Sequence, residues 1–369
     1  MGARGLAQGN SHRTAIPEIT IPVVVHIVSP DPAAISDQLV QSQIDALNRD
    51  FNAENADLKR VPAYFQSRIA NCHIRFVLAK SDPAGQASSG IVRVKTGIDY
   101  FNVDDRVKFT ARGGDDAWPR DHYLNIWVAK MTMGISGYTS KTTDPPQVDG
   151  IVLDYRVFGS GTRHPEHGLG RIAVHEAGHW LGLKHIWGDA YCGDDGIDDT
   201  PRQKSYHLGC PNSQVFSCSD TETGDMYMNY MDRTNDQCMY MFTTGQQNRM
   251  RSIFEAGQLR HPLLSSKGLS TTGEVIDPNW DKSQAAINQP ALALSCYPVP
   301  ATQQLQVVLK GSKLAATGQL RVYNMVGQPV LTANMVSSPA VLDVSRLPRG
   351  QYIIRNTEPG IRPVSFTKL

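Results

Sequence analysis

The chain has 369 residues, 40% of them apolar, with 31 glycines and 22 prolines, the composition of a soluble, loop-rich protein of more than one domain. Thirty-six Lys and Arg against 35 Asp and Glu leave a formal charge of +1, which excludes the basic footprint of a nucleic-acid binder and the acidic block of a solvating tail. No stretch approaches the ~20 consecutive apolar residues of a membrane helix.

The first residues, MGARGLAQGNSHRT, lack the apolar run that forms the core of a secretory signal. Residues 1–18 are therefore expected to be a tail or the remnant of a pro-segment. Ile21 to Val28 (IPVVVHIV) is a β-branched apolar run that predicts a strand. Ser36 then stands as an N-cap before Val40, Ile44, Leu47 and Phe51 at helical spacing. Further strands are predicted at Ile74 to Leu78, Ile91 to Val94, Leu124 to Val128 and Gly150 to Tyr155, giving an α/β N-terminal half. A helix is expected from about Leu169. After it comes a long loop rich in Gly, Asp and Cys, then a second helix after Thr244 with Met250, Ile253 and Phe254 turned inward. Around Leu264 to Pro290 the composition turns polar and Pro/Gly-punctuated, which marks a linker. Beyond it, QLQVVL, QLRVYN, PVLTAN, AVLDV, QYIIRN and PVSFTKL read as short strands of a small all-β, immunoglobulin-like sandwich. The expected division is thus 1–18 tail, 19–264 catalytic domain, 265–290 linker and 291–369 sandwich.

The chemistry centres on His175-Glu176-Ala177-Gly178-His179-Trp180-Leu181-Gly182-Leu183-Lys184-His185, an H-E-x-x-H-x-x-G-x-x-H signature. Histidines four apart share one helical face, and a positive φ at Gly182 would end the helix and swing His185 towards the same ion. Three nitrogen ligands leave a fourth zinc position open for water, whose pKa falls from 15.7 towards ~7. Glu176, one residue after a ligand, is then the general base. A bare H-E-x-x-H is weak, but the added glycine and third histidine make chance a poor explanation. His12, His26, His73, His122, His164, His167, His207 and His261 lack such spacing and read as surface or satisfied core residues. Four of the six cysteines fall between Cys192 and Cys238 without a C-x-x-C pair. This favours disulfides over a structural zinc knot and places the protein in an oxidising, exported setting. Four cysteines alone allow three pairings.

With Asn229-Tyr230-Met231-Asp232 downstream, the signature resembles a metzincin with its Met-turn, Met231 lying beneath the metal. The stretch GDDGIDDTP, its flanking cysteines and the Met-turn sequence resemble the pappalysin family, over roughly Ile21 to Leu264. The resemblance implies a twisted mixed sheet with an active-site helix and an endopeptidase acting on proteins or peptides. It also implies the pairings Cys192–Cys218 and Cys210–Cys238, with Cys72 and Cys296 free. It further implies structural calcium near Asp194, Asp195, Asp198, Asp199 and Thr200, with Asp220, Thr221 and Glu222 as further candidate ligands; hard oxygens in a tight turn suit that ion. A solvated acidic loop is the competing reading.

Asp236, five residues beyond Met231, corresponds to an acidic residue at the base of the family's pocket for the side chain after the scissile bond. This implies a preference for Arg or Lys there, against the alternative of a surface aspartate beside Cys238. Arg233 stands where the family carries a tyrosine that supports the tetrahedral intermediate. Gly134 to Ser140 (GISGYTS) falls where metzincins have a substrate-pairing edge strand. The sandwich, with Tyr297-Pro298-Val299-Pro300, RVYNMVGQPVL and LPRGQYIIR, resembles the sorting domain read by the type IX secretion system, implying export across the outer membrane of a Gram-negative bacterium. Two rival functions are a noncatalytic surface-binding protein on the same scaffold and a zinc hydrolase of small molecules.

Overall fold

The computed structural model describes residues 16–161, 164–218, 222–271, 293–310, 318–324, 328–335, 339–357 and 364–369. Residues 1–15 of the expected tail and 272–290 of the expected linker lie outside these. The chain divides into two compact units, Met1–Trp280 and Asp281–Leu369.

In the first unit, β1 (Ile19–Ser29) is buried along nearly its whole length, as expected of a central parallel strand covered on both faces. Ser36 caps α1 (Asp37–Phe51), its side chain accepting from Leu39 N at 3.2 Å, and the Val40, Ile44, Leu47 and Phe51 stripe is buried. The short α2 (Ala63–Gln66), β2 (Ile74–Leu78), β3 (Ile91–Lys95), β4 (Leu124–Ala129), β5 (Gly137–Thr139) and β6 (Ile151–Asp154) follow. The sheet order is β2-β1-β4-β6-β5, with β3 also on β1. β2 pairs the first half of β1 and β3 its second half, so both share one edge of a single long strand. All these pairs are parallel except β5 with β6, which is antiparallel and makes the sheet mixed. β5 ends the order, leaving an edge.

The signature helix α3 (Arg171–Trp180) starts two residues later than the sequence pattern suggests, because Gly170 takes a left-handed φ of 77° at its N-cap. α3 packs on α1, β5 and β6. The last helix, α4 (Thr244–Ser252), begins with a reciprocal capping box between Thr243 and Gln246. Met250 and Phe254 join the main core, while Ile253 caps the helix end and is only partly buried.

The second unit contains β7 (Ala293–Tyr297), β8 (Gln304–Lys310), β9 (Gln319–Asn324), β10 (Pro329–Asn334), β11 (Ala340–Asp343), β12 (Gly350–Asn356) and β13 (Val364–Lys368). They form a four-stranded sheet, β10-β9-β12-β13, and a three-stranded sheet, β11-β8-β7. Leu305, Val307, Leu320, Val322, Ile354 and Phe366 lie in their shared core. β7 is the strand that sequence reading passed over, since its alternation is short and abuts the linker. Among the described residues of both units, no helix is long and apolar enough to cross a membrane.

Candidate active site

α3 projects His175 and His179 from one face, four residues apart, and their Nε2 atoms lie 3.1 Å from each other. Gly182 takes φ +91°, a conformation any side chain would strain. Its amide donates to His179 O at 2.9 Å while Leu183 N donates to Gly178 O at 3.0 Å, closing the helix end. The chain then turns back, and one ligand atom from each of His175, His179 and His185 falls within 4.8 Å of the others.

The far side of each ring decides what the near side can do. His175 Nδ1 donates to Tyr230 O at 2.7 Å and His179 Nδ1 to Leu183 O at 2.9 Å; a carbonyl only accepts, so Nδ1 carries the proton in both. His185 Nδ1 faces the Asp189 carboxylate, and its ring stacks on Trp187 at 4.2 Å. Burial first, then the neighbouring imidazoles, hold His175 well below its ordinary pKa and His185 down at about 4. With Nδ1 engaged on the far side, the rings turn their Nε2 atoms towards a common point. Lone pairs facing one another at 3.1 Å repel unless a cation lies between, so the donor set fits a tetrahedral zinc with one open position.

Glu176 lies on the same helix, 8% exposed, and burial raises its carboxyl above the ordinary glutamate range. His179, a hydrogen bond from Thr139 and Arg233 pull it back. Beneath the histidines runs the Met-turn. Met231 is fully buried, its amide donates to Asn229 Oδ1 at 2.9 Å, and its carbonyl accepts from Ile186 N at 3.2 Å. Asn229 also exchanges two hydrogen bonds with Gln246, the residue that completes the α4 capping box. A Cβ added at Gly178 would lie 2.5 Å from Met231 Sδ, so helix and Met-turn are in close contact and a larger residue would push the Met231 side chain aside.

Residues 111–255 match the peptidase family described as Pregnancy-associated plasma protein-A, and residues 295–361 match the Secretion system C-terminal sorting domain. An extracellular metalloprotease of Pyricularia oryzae is 30% identical over 250 residues, 64% of this chain and 75% of that protein. The chain belongs to the pappalysin family. Among solved structures, mature mirolysin of Tannerella forsythia in complex with a cleaved peptide is 40% identical, with a TM-score of 0.66, over 72% of this chain and 100% of that one. Promirolysin of the same organism is 41% identical over 68% of this chain and 85% of that one, with a TM-score of 0.66. The protein is thus an extracellular metalloendopeptidase of the pappalysin type, built on the metzincin α/β fold, whose family implies zinc. Its C-terminal sorting domain marks it for export by the type IX secretion system.

In this pappalysin the segment between His185 and the Met-turn has little regular structure. Disulfides join Cys192 to Cys218 and Cys210 to Cys238 across overlapping loops, while Cys72 and Cys296 are free thiols. Asp194, Asp195, Asp198 and Thr200 line a cavity of about 230 Å³ together with Arg202. Asp194 Oδ2 accepts from Arg202 at 2.8 Å, and burial holds Asp195 up at about 6.

Asp199 departs from the expected set. Its carboxylate accepts from Thr243 Oγ1 at 2.6 Å and Gly245 N at 2.8 Å, so it caps α4 and does not line the cavity. Glu222 does not line it either, and Asp220 and Thr221 lie outside the described residues.

Asp236 is not a surface aspartate. It is fully buried at the N-terminal end of α3, where Oδ2 accepts from Leu169 N at 2.9 Å and Arg171 N at 3.2 Å, and Oδ1 lies 3.2 Å from His167 Nδ1. Arg233 is exposed, with its guanidinium carbon 5.6 Å from the ring centre of Trp187 and 5.5 Å from that of Tyr206. The same indole stacks on the His185 ring.

Sequence reasoning passed over Trp187, Asp189 and Thr139 as parts of the site. The carbonyls of Tyr230 and Leu183 have no sequence signature at all. Thr139 lay inside the stretch singled out as an edge strand, but nothing in GISGYTS says which face meets α3.

Proposed function

We propose that this pappalysin cleaves internal peptide bonds with His175, His179 and His185 as the zinc ligands and Glu176 as the general base. The observation that carries the reading is the convergence of three Nδ1-tethered imidazoles beside a buried carboxylate on one helix. Zinc held there would polarise the scissile carbonyl and acidify the attacking water. Glu176 takes the proton from that water as its oxygen adds to the carbonyl carbon, then delivers it to the amide nitrogen as the C–N bond breaks. The pull of burial towards the protonated form helps in the second step, that of the imidazole and guanidinium towards the carboxylate in the first. Arg233, steadied by Trp187 and Tyr206, supplies positive charge to the developing oxyanion in place of the family's tyrosine.

Asp236 gives the pocket its preference for Arg or Lys immediately after the scissile bond. The amides of Leu169 and Arg171 and the ring of His167 already engage the carboxylate, so the preference over uncharged residues should be modest. Asp194, Asp195, Asp198 and Thr200 are the proposed calcium ligands.

Incubating the full chain with a peptide library, with and without a chelator, and reading the products by mass spectrometry tests the function. Chelator-sensitive internal cuts enriched in Arg or Lys on the leaving side are expected. Unchanged cleavage by Glu176→Ala would sink the general-base assignment, and cuts without that enrichment would remove Asp236 from the pocket.

A further inference from the structure

Glu176 does not stand alone in its pocket. Thr139 Oγ1, on the last residue of β5, lies 2.6 Å from Glu176 Oε2 and 3.0 Å from the Glu176 carbonyl oxygen. A hydroxyl has one proton to give. Between a carboxylate and a carbonyl, the shorter, charge-assisted contact takes it, and 2.6 Å is the length expected of an O–H···O⁻ bond.

The strand is built to deliver that hydroxyl. Alternation along β5 puts Gly137 and Thr139 on one face and Tyr138 on the other, where its ring meets the buried Lys108. A Cβ at Gly137 would lie 3.0 Å from Val152 O and 3.1 Å from Leu153 Cδ2 on β6 and 3.2 Å from Ile172 Cγ2 on α3, so the absence of a side chain there keeps the strand close to both β6 and the helix. Ile172 and Glu176 are four residues apart on α3. The Gly137–Thr139 face therefore meets one helical stripe at two successive turns, the second being the proposed base. β5 pairs only with β6 among the described strands, Thr139 opposite Ile151, so its other edge carries main-chain groups with which an extended peptide can pair.

We propose that Thr139 is a positioning residue for peptide cleavage: its hydroxyl donates to Glu176 Oε2, fixes the carboxylate rotamer, and leaves Oε1 to exchange the proton of the attacking water. The inference rests on Glu176 as general base and adds to it that one residue of the substrate-pairing edge also sets the geometry of that base. Thr139 keeps its own proton throughout. The transferred proton moves from water to Glu176 Oε1 and on to the leaving amine.

The test measures kcat and KM of the full chain on a fluorogenic peptide carrying Arg after the scissile bond, for wild type, Thr139→Val, Thr139→Ser and Glu176→Gln. Valine keeps the β-branched shape a strand favours and removes only the hydroxyl. Thr139→Val should lower kcat about ten- to a hundredfold, the loss of a hydrogen bond to a charged group, with KM within about twofold. Bound zinc and melting temperature should stay at wild-type values, and Thr139→Ser should restore kcat to within about threefold. A rise in KM at unchanged kcat, or loss of zinc or of stability matching the loss of activity, would overturn the positioning role. Full activity of Glu176→Gln would instead remove the general base itself. An inactive Glu176→Gln beside a fully active Thr139→Val would sink only the Thr139 inference.

Discussion

α3 and the loop that follows it both border the proposed zinc site, yet they are held by different physics. α3 is secured by helix periodicity and by burial of Ala173, Val174, Ala177 and Trp180 in the main core. Among its described residues, the segment from Gly188 to Asp225 has no such stripe. It is held by two disulfides and by charged hydrogen bonds, chief among them His207 between Asp225 (3.2 Å) and Asp232 (2.7 Å). Asp232 directly follows Met231, so the loop reaches the Met-turn through charged side chains, where the helix reaches it through close packing and the His175–Tyr230 hydrogen bond. A site can thus share its rigidity between an element that folds on pattern and one that depends on cross-links.

That contrast can be broken at the metal first. Chelation should abolish peptide cleavage by about a thousandfold or more and zinc should restore it, while near-ultraviolet circular dichroism changes little because the core does not depend on the ion. Collapse of the fold on chelation would mean that the metal, and not burial, holds α3. Next in size is the loop's covalent bracing. Replacing Cys192 and Cys218 together by serine should cost roughly 3–4 kcal/mol, the loop-closure value for a link spanning 26 residues. Limited proteolysis should then cut between Cys192 and Cys218 before it cuts α3.

A smaller effect is expected from pH. Burial disfavours the charged form of His207, but its hydrogen bonds to the Asp225 and Asp232 carboxylates outweigh it and raise the imidazole to about 9. A raised folded-state value means that this stabilisation is complete below the unfolded value of about 6.5, falls across the interval, and is gone once the pH passes about 9. Urea midpoints should drop between pH 7 and 9.5 by an amount equivalent to about 1–3 kcal/mol, and His207→Asn should flatten that dependence. An unchanged slope in that variant would take the Asp–His–Asp link out of the comparison. The smallest change is steric: Gly178→Ala drives a methyl against Met231 Sδ and should cost about 1–2 kcal/mol in chemical denaturation, with lowered zinc affinity in a competition assay.

Legibility followed the same divide. The ligand spacing, the Gly182 turn and the α1 stripe are local periodicities, and each could be read from neighbours a few residues apart. Asp199 could not: four aspartates flanking Gly196 look alike in sequence, and only the approach of Thr243 and Gly245 turns this one into a helix cap. Asp236 likewise resembled a loop residue, yet the amides of Leu169 and Arg171, where the chain enters α3, donate to it. Among the described residues, its burial and partners became visible only once chain segments about 65 residues apart had met.

The sequence by itself determined the outline of the chemistry: two histidines and a glutamate in helical register with a third histidine beyond a glycine, a methionine turn, clustered cysteines and a β-rich sorting tail, because spacing along a helix or strand converts directly into a shared face. Tertiary structure alone decided which atoms complete that chemistry. Tyr230 O and Leu183 O hold the rings of His175 and His179, Thr139 Oγ1 touches Glu176, and Arg233 rests over Trp187, whose ring also stacks on His185. Such contacts depend on which long-range surfaces meet, and a hydrogen bond to a carbonyl leaves no mark on the identity of the residue that owns it.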